Sequence, residues 1–410
     1  LFVAAYTAIY VVRPLALLIK GRAKSRYYDD EFHRSTMREE PLSIIIPARN
    51  EEAILERAVL NLMSQQLGEF EIIIGENNST DATLAIARDL ERRYPGLVRV
   101  LELSPPGDVM VISWVLNQML REARYDLICR IDADSVLKDK YSIAKLMSPM
   151  IRDRGISATG GNVKILNAAD SLLLNMQSME FMIANELNKN HLKHTSICLS
   201  GCYMGFRKSR LTNGFVEKKG ISEDMTITIE LSDRSKGRTM FVKNSLVYTD
   251  GMTTVKELKK QRVWWNEIGL NAFYHNRGAI LNRRFGLVGI NLFIIIALSC
   301  RSFLGLIARV AESLHETILY SLTLFGIISL VHFLVTTLNV VCARAISEDK
   351  ERVNAWGIFV FSMVYCPTVG FWRFASTASF LYGVAKKGIL QMAQMASRQP
   401  DKRINLTKDI

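Results

Sequence analysis

Apolar residues in this chain follow two patterns: short β-rich runs spaced through the first part, and long unbroken blocks towards the ends. The runs at 42–46, 71–74, 98–101, 126–131 and 156–159 predict strands. Between them lie stretches with helical period. In 79–94, Leu84, Ala87, Leu90 and Tyr94 share one face, and Ser79 or Thr80 can cap the start. Strand and helix in alternation predict an α/β fold with a mostly parallel sheet and helices on both faces. In such a sheet a ligand sits at the C-terminal ends of the strands.

Residues 162–284 break this rhythm. They hold a long helical segment at 170–190, a Gly/Ser-rich passage at 200–205, an acidic turn at 222–224 and a charged helix from Thr254. This stretch is read as the second half of the same domain. Apolar blocks at 1–19, 285–308, 316–342 and 355–385 are long enough to cross or line a bilayer. The expected order is therefore a transmembrane helix at 1–20 and a charged linker at 21–40. A cytosolic α/β domain at 41–284 follows and closes in an interfacial helix. Transmembrane or interfacial helices at 285–385 and a cytosolic basic tail at 386–410 complete it. The last block, 355–385, reads as either a hairpin or a span followed by an interfacial helix.

Lys and Arg outnumber Asp and Glu by 52 to 40, a formal charge of +12. Much of the surplus flanks the apolar blocks, at Lys20, Arg22, Lys24, Arg26, Arg277, Arg283, Arg284, Lys386 and Lys387. That placement follows the positive-inside rule and points to membrane lipids. Neither a basic stripe interleaved with aromatics nor zinc-finger spacing is present, so nucleic acid is not an expected partner. The six cysteines are scattered, as expected of reduced thiols facing the cytosol.

Candidate chemistry gathers at the strand tips. Pro47, Asn50 and Glu51 close the first strand, and Glu76 begins a polar turn after the second, where a base or ribose could be held. Asp132 and Asp134 end the fourth. Alternate residues of an extended segment point to the same side, so two hard carboxylates can face one Mg2+ or Mn2+ bridged to a diphosphate. Ser222, Glu223 and Asp224 begin a helix; they suit an N-cap and equally a general base. Gln261, Arg262 and Trp265 lie on the charged helix. There the tryptophan offers either an interfacial anchor or a flat face for a sugar.

Taken in order, these five motifs resemble the processive family-2 glycosyltransferases, the group of cellulose, hyaluronan, chitin and poly-N-acetylglucosamine synthases. The likeness covers roughly 41–278. It implies a GT-A fold, a UDP-sugar donor, inversion to a β-linkage, and a polysaccharide acceptor elongated and exported, with an accessory subunit left open. Rival expectations are transfer of a single sugar to a lipid carrier or glycolipid, and a nucleotide-sugar binder without catalysis.

Carried over, Glu76 contacts uridine, Asp132 the diphosphate, Asp134 the metal, and Asp224 the acceptor as base. Gln261, Arg262 and Trp265 serve acceptor and phosphates, while Gly161, Gly201 and Cys202 line the acceptor site. The helix at 171–188, with Gln177 and Glu180, looks most like the hyaluronan and poly-N-acetylglucosamine branch. Two departures stand out. Ile112 occupies a position where the family has lysine, and Trp264 one where it has arginine, so two phosphate-binding cations are missing.

Overall fold

The computed structural model of the chain describes residues 8–22, 30–107, 111–189, 198–232, 237–280, 318–347, 349 and 353–397. The apolar block expected at 285–308 and the end of the basic tail, 398–410, lie outside the described residues.

Each predicted run is a strand: β1 (Leu42–Ala48), β2 (Phe70–Asn77), β3 (Val98–Leu103), β4 (Leu127–Ile131) and β6 (Ile156–Ile165). Three more, β5 (Val136–Leu137), β7 (Tyr203–Arg207) and β8 (Arg238–Thr249), complete an eight-stranded sheet in the order β3-β2-β1-β4-β7-β6-β8-β5. β1 is parallel to β2 and β4, β2 to β3, and β6 to β8, so the sheet is mostly parallel. β7 runs antiparallel between β4 and β6. A reversed strand starts where its neighbour ends, with Ile131 paired to Tyr203. The approach to β7 therefore lies at the strand-end edge where a ligand is expected.

Helices cover both faces, which is why β1, β2 and β4 read as almost continuous apolar runs. On one face α3 (Leu55–Met63), α4 (Thr83–Arg93) and α6 (Ser142–Arg152) pack Leu55, Val59, Ala87, Leu90 and Met147 against Ile44, Ile46, Ile72 and Cys129. On the other, α5 (Val111–Glu122) and α8 (Glu223–Leu231) set Val115, Met119, Ile227 and Leu231 against Ile45, Ile73 and Ile128.

Two local expectations change. Ser79 and Thr80 do not cap α4. The helix begins at Thr83 after Ala82, which supplies no side-chain cap. Asp81 accepts the Thr83 N–H at 3.0 Å, and Ser79 and Thr80 turn to the tip of β1 instead. The stretch expected as a charged linker contains a helix, α2 (Asp30–Met37). Met37 is buried, His33 Nδ1 lies 2.6 Å from Ser148 Oγ, and Arg152 stacks over Phe32 at 5.2 Å, so this helix docks on α6. Its apolar residues are too few to show a period along the chain.

The segment expected as helical at 170–190 forms α7 (Leu172–Met182), capped by Ser171 at the Leu174 N–H, followed by π-helix over Ile183–Lys189. The charged helix is α9 (Val255–His275), capped by Thr254 at the Glu257 N–H. Such caps contribute about 0.5–2 kcal/mol each. Among the described residues two helices are long and apolar enough to cross a membrane, Gly326–Ile346 within α10 (Ile318–Ile346) and Ala355–Val384. The latter is one continuous helix, Ala355–Val360 passing through a π-helical stretch, Phe361–Tyr365, into Cys366–Ser397, so no hairpin divides it. Near the N-terminus the apolar helix described is Tyr10–Ile19, and residues 1–7 of the expected span lie outside the described residues. These helices meet the rest of the chain through Met179, Met182, Leu258, Ala343, Phe361 and Trp372.

Candidate active site

The tips of β1 and β2 are tied together. Asn50 has φ +57°, a left-handed conformation that asparagine tolerates better than most residues. Its Oδ1 accepts the Thr80 N–H at 2.8 Å, and its own N–H donates to Ser79 Oγ at 3.1 Å. The Glu51 N–H donates to Thr83 Oγ1 at 2.7 Å. Glu76 is buried and accepts the Ser79 N–H at 2.7 Å, so it braces its own turn. Pro47 pairs with Gly75 in the ladder just before. These residues form one rim.

The centre is acidic. Asp134 accepts hydrogen bonds from Thr249 at 3.1 Å and Ser135 at 3.2 Å, so the end of β8 fixes its rotamer. Burial raises its pKa first, and Asp132 adds to that, against the two hydroxyls. Glu51 is pushed up to about 7 by burial, then by Asp134, Asp132 and Asp81. Like charges so close keep a proton on one member unless a cation arrives. Among the described residues, however, no three His, Cys, Asp or Glu side chains form a ready metal cage. A pair of hard carboxylates is what a site uses when phosphate oxygens complete the coordination. The residues present therefore fit a divalent cation that arrives with a diphosphate.

The antiparallel strand brings the other half of the site. The Asp132 N–H donates to the Cys202 carbonyl at 3.1 Å, extending the β4–β7 ladder by one bond. Next door, the Gly201 N–H donates to Asp224 Oδ2 at 3.2 Å. Asp224 Oδ1 takes the Met225 N–H at 2.7 Å and the Ser222 hydroxyl. The cap reading of 222–224 holds, with Ser222 starting α8, and the same hydroxyl also orients the Asp224 carboxylate. The Cys202 thiol is raised by burial and by Asp132 and Asp134, so it stays protonated. At the side, Lys189 Nζ donates to Ser200 Oγ at 2.5 Å.

Four expected site residues stand apart from this cluster. Arg262 is buried and donates to Glu180 Oε2 at 2.9 and 3.1 Å, to Gln261, and over the Trp265 ring at 4.6 Å. Arg373 donates to the other oxygen of Glu180 at 2.7 Å, and Tyr365 also bonds to this carboxylate. Gln261 and Arg262 are thus committed to a knot joining α7, α9 and the last helix. Trp265 lies beside it, its ring centroid 6.3 Å from that of Phe181, with Trp264 exposed to its side. Gly161 packs under Tyr203, whose ring atom would lie 2.1 Å from an added Cβ. It serves packing between β6 and β7. Ile112, where a lysine was missed, rests against the apolar cluster of α5.

The pattern reading overlooked Arg130. It sits inside β4 in the run Leu-Ile-Cys-Arg-Ile, 3% exposed, and donates to Glu223 Oε1 at 3.1 Å. Burial opposes its charge, and Asp132, Glu223 and Asp224 outweigh that. A lone cation in a strand buried on both faces demands carboxylate partners, which is the signal that could have found it.

The family model described as Glycosyltransferase like family 2 matches residues 40–267. A probable glycosyltransferase of Bacillus subtilis (strain 168) is 26% identical over 57% of this chain and 55% of its own length. A beta-monoglucosyldiacylglycerol synthase of Nostoc sp. (strain PCC 7120) is 25% identical over 70% of this chain and 60% of its own length. The chain thus spans little more than half of these two relatives. A poly-beta-1,6-N-acetyl-D-glucosamine synthase of Staphylococcus epidermidis (strain ATCC 35984) is 23% identical over 79% of both chains. Among solved structures, a mannosyltransferase from Pyrobaculum calidifontis in complex with GDP-Man and Mn2+ shares the fold at a TM-score of 0.59. It is 15% identical and covers 83% of this chain and 96% of its own.

Proposed function

The chain belongs to the glycosyltransferase-like family 2, and from that premise we propose that it extends a β-linked polysaccharide by inverting transfer from a UDP-sugar, with its catalytic domain on the cytosolic face of a membrane. The observation that carries the reading is the segment Gly201–Cys202, which bonds to Asp132 at the tip of β4 and to Asp224 at the start of α8. One short stretch of backbone therefore joins the donor-side and acceptor-side carboxylates.

Asp132 and Asp134 would hold Mg2+ or Mn2+ with the donor diphosphate, and the ion supplies charge neutralisation for the leaving nucleoside diphosphate. Asp224, oriented by Ser222, Met225 and Gly201, takes the proton of the acceptor hydroxyl as that oxygen bonds to the anomeric carbon. The bond to the diphosphate oxygen breaks on the opposite face, which inverts the configuration. The β1 and β2 tips, with Asn50, Glu51 and Glu76, form the wall for the nucleoside. Trp265 offers its exposed ring to the acceptor chain, while Arg262 positions the helix that carries it. The long apolar helices and their flanking Lys and Arg support membrane embedding and an inward-facing catalytic domain.

The polysaccharide reading is favoured by the 79% coverage of the poly-N-acetylglucosamine synthase, which necessarily runs past residue 267 into the C-terminal helices. Transfer of one sugar to a glycolipid is the second reading, favoured by the match to the monoglucosyldiacylglycerol synthase. Incubation of the membrane-reconstituted chain with UDP- and GDP-sugars plus Mn2+ or Mg2+, followed by product sizing, separates the two. Polymer is expected, and a single sugar on lipid rejects it. Asp134→Ala and Asp224→Asn should lower turnover by about 10²–10⁴-fold. Unchanged turnover in both rejects the site.

A further inference from the structure

β4 is covered on both faces, yet its fourth residue is a guanidinium. Arg130 Nη2 reaches Glu223 Oε1 at 3.1 Å and lies 3.5 Å from Asp132 Oδ1. Nε and Nη1 are buried with no hydrogen-bond partner among the described residues. The Phe215 ring lies 5.9 Å below the guanidinium. A buried cation with unmade hydrogen bonds is tolerated only where opposite charge compensates it. Asp132, Glu223 and Asp224 provide that charge, and they belong to different elements. Asp132 follows the last residue of β4, whereas Glu223 and Asp224 form the first turn of α8.

Gly201 completes the enclosure. An added Cβ there would lie 3.0 Å from Arg130 Nη1 and 3.1 Å from the Asp224 Cβ. Backbone without a side chain is what lets this segment close over the guanidinium while still donating to Asp224. Sealed in this way, Arg130 has carboxylates as its charged partners and almost no exposed surface.

We propose that Arg130 is a positioning residue that clamps the donor-side tip of β4 to the acceptor-side start of α8, and so sets the spacing between Asp132 and Asp224 at which transfer occurs. The inference rests on the roles given above to Asp132 and Asp224. It also accounts for an acidic pair on α8 in which Glu223 holds the clamp and Asp224 faces the acceptor.

The full chain in liposomes, with Mn2+ and the UDP-sugar that wild type uses, tests this in Arg130→Met, Arg130→Lys, Glu223→Gln and the double variant Arg130→Met/Glu223→Gln. A spacing error of about an ångström lowers rate on the order of 100-fold. Arg130→Met should therefore lose about that factor in kcat for transfer while its donor KM stays within about threefold. Arg130→Lys, which keeps the charge, should recover part of the rate. The double variant removes both buried charges, so its melting temperature should return towards wild type while kcat stays low. That split separates positioning from folding, and it holds even if Arg130→Met alone fails to fold.

Wild-type kcat in the double variant overturns the inference, as does wild-type kcat in a folded Arg130→Met. Asp224→Asn run alongside distinguishes the two levels. If it is inactive while the Arg130 variants are fully active, only the clamp is wrong; if it is fully active, the reading of the site beneath is wrong as well.

Discussion

Two buried arginines anchor two regions of this molecule, with opposite charge balance. In the knot under α9, the single carboxylate of Glu180 is shared by Arg262 and Arg373, and Tyr365 and Gln261 add hydrogen bonds. At the strand ends, the single guanidinium of Arg130 is shared by Asp132, Glu223 and Asp224, with Asp134 and Glu51 close by. The knot leaves little negative charge for a cation to neutralise; it fastens helices. The strand-end cluster is left with surplus negative charge, which a divalent ion would relieve. Burial and ion pairing are common to both, and the surplus is what marks the strand-end cluster as the candidate site.

The largest effect should come from breaking the knot. Glu180→Gln leaves Arg262 buried without its carboxylate, a loss of about 3–5 kcal/mol. It should appear as a lower melting temperature of the solubilised chain. An unchanged melting temperature would mean that neutral hydrogen bonds suffice and that charge balance does not define this region.

A smaller effect is expected at Thr249, which orients Asp134 from the end of β8. Thr249→Val should raise the Mn2+ concentration for half-maximal turnover by about tenfold, as loss of a supporting hydrogen bond to a metal ligand does. Stability should hardly change. A shift in melting temperature with no shift in metal requirement would place Thr249 with the structural contacts.

The smallest effect is one of pH. Glu51 moves from 4.5 to about 7 in the folded chain, through burial and then Asp134, Asp132 and Asp81. Between those values the folded state holds a proton that the unfolded chain releases. Its stability contribution is therefore full below 4.5 and lost as pH rises through 7. Glu51→Gln cannot ionise. Without metal its melting temperature should sit near wild type at pH 5 and above it at pH 8, and an equal offset at both pH values would contradict the crowding of carboxylates. Glu180 behaves in the opposite way: burial raises it, but Arg262 and Arg373 outweigh that and lower it. Its contribution is lost only as pH falls below its ordinary range, so the knot should stay constant between pH 5 and 8.

Much of the catalytic domain was legible in the order of residues. Strand positions follow from β-rich runs, and the doubly covered sheet from their near-continuous apolarity, because both are local consequences of period and burial. Asp132, Asp134 and Asp224 were singled out by the same route, each at or beside an element boundary that the pattern marks. The helix at 30–37 escaped because its apolar residues are few, and the start of α4 was misjudged because Ser79 and Thr80 serve the neighbouring strand tip.

What the tertiary structure decided is how charges divide. Nothing in the spacing of Gln261, Arg262 and Trp265 says that the arginine turns to Glu180, eighty-two residues earlier in the chain. Nor does the sequence near Gly201 say that an antiparallel strand carries it between Asp132 and Asp224, or that Arg130 lies beneath it. Period and turn chemistry act over a few residues and can be read from one segment. Pairing of buried charges joins segments far apart in sequence and is fixed only when the sheet and its helices close around them.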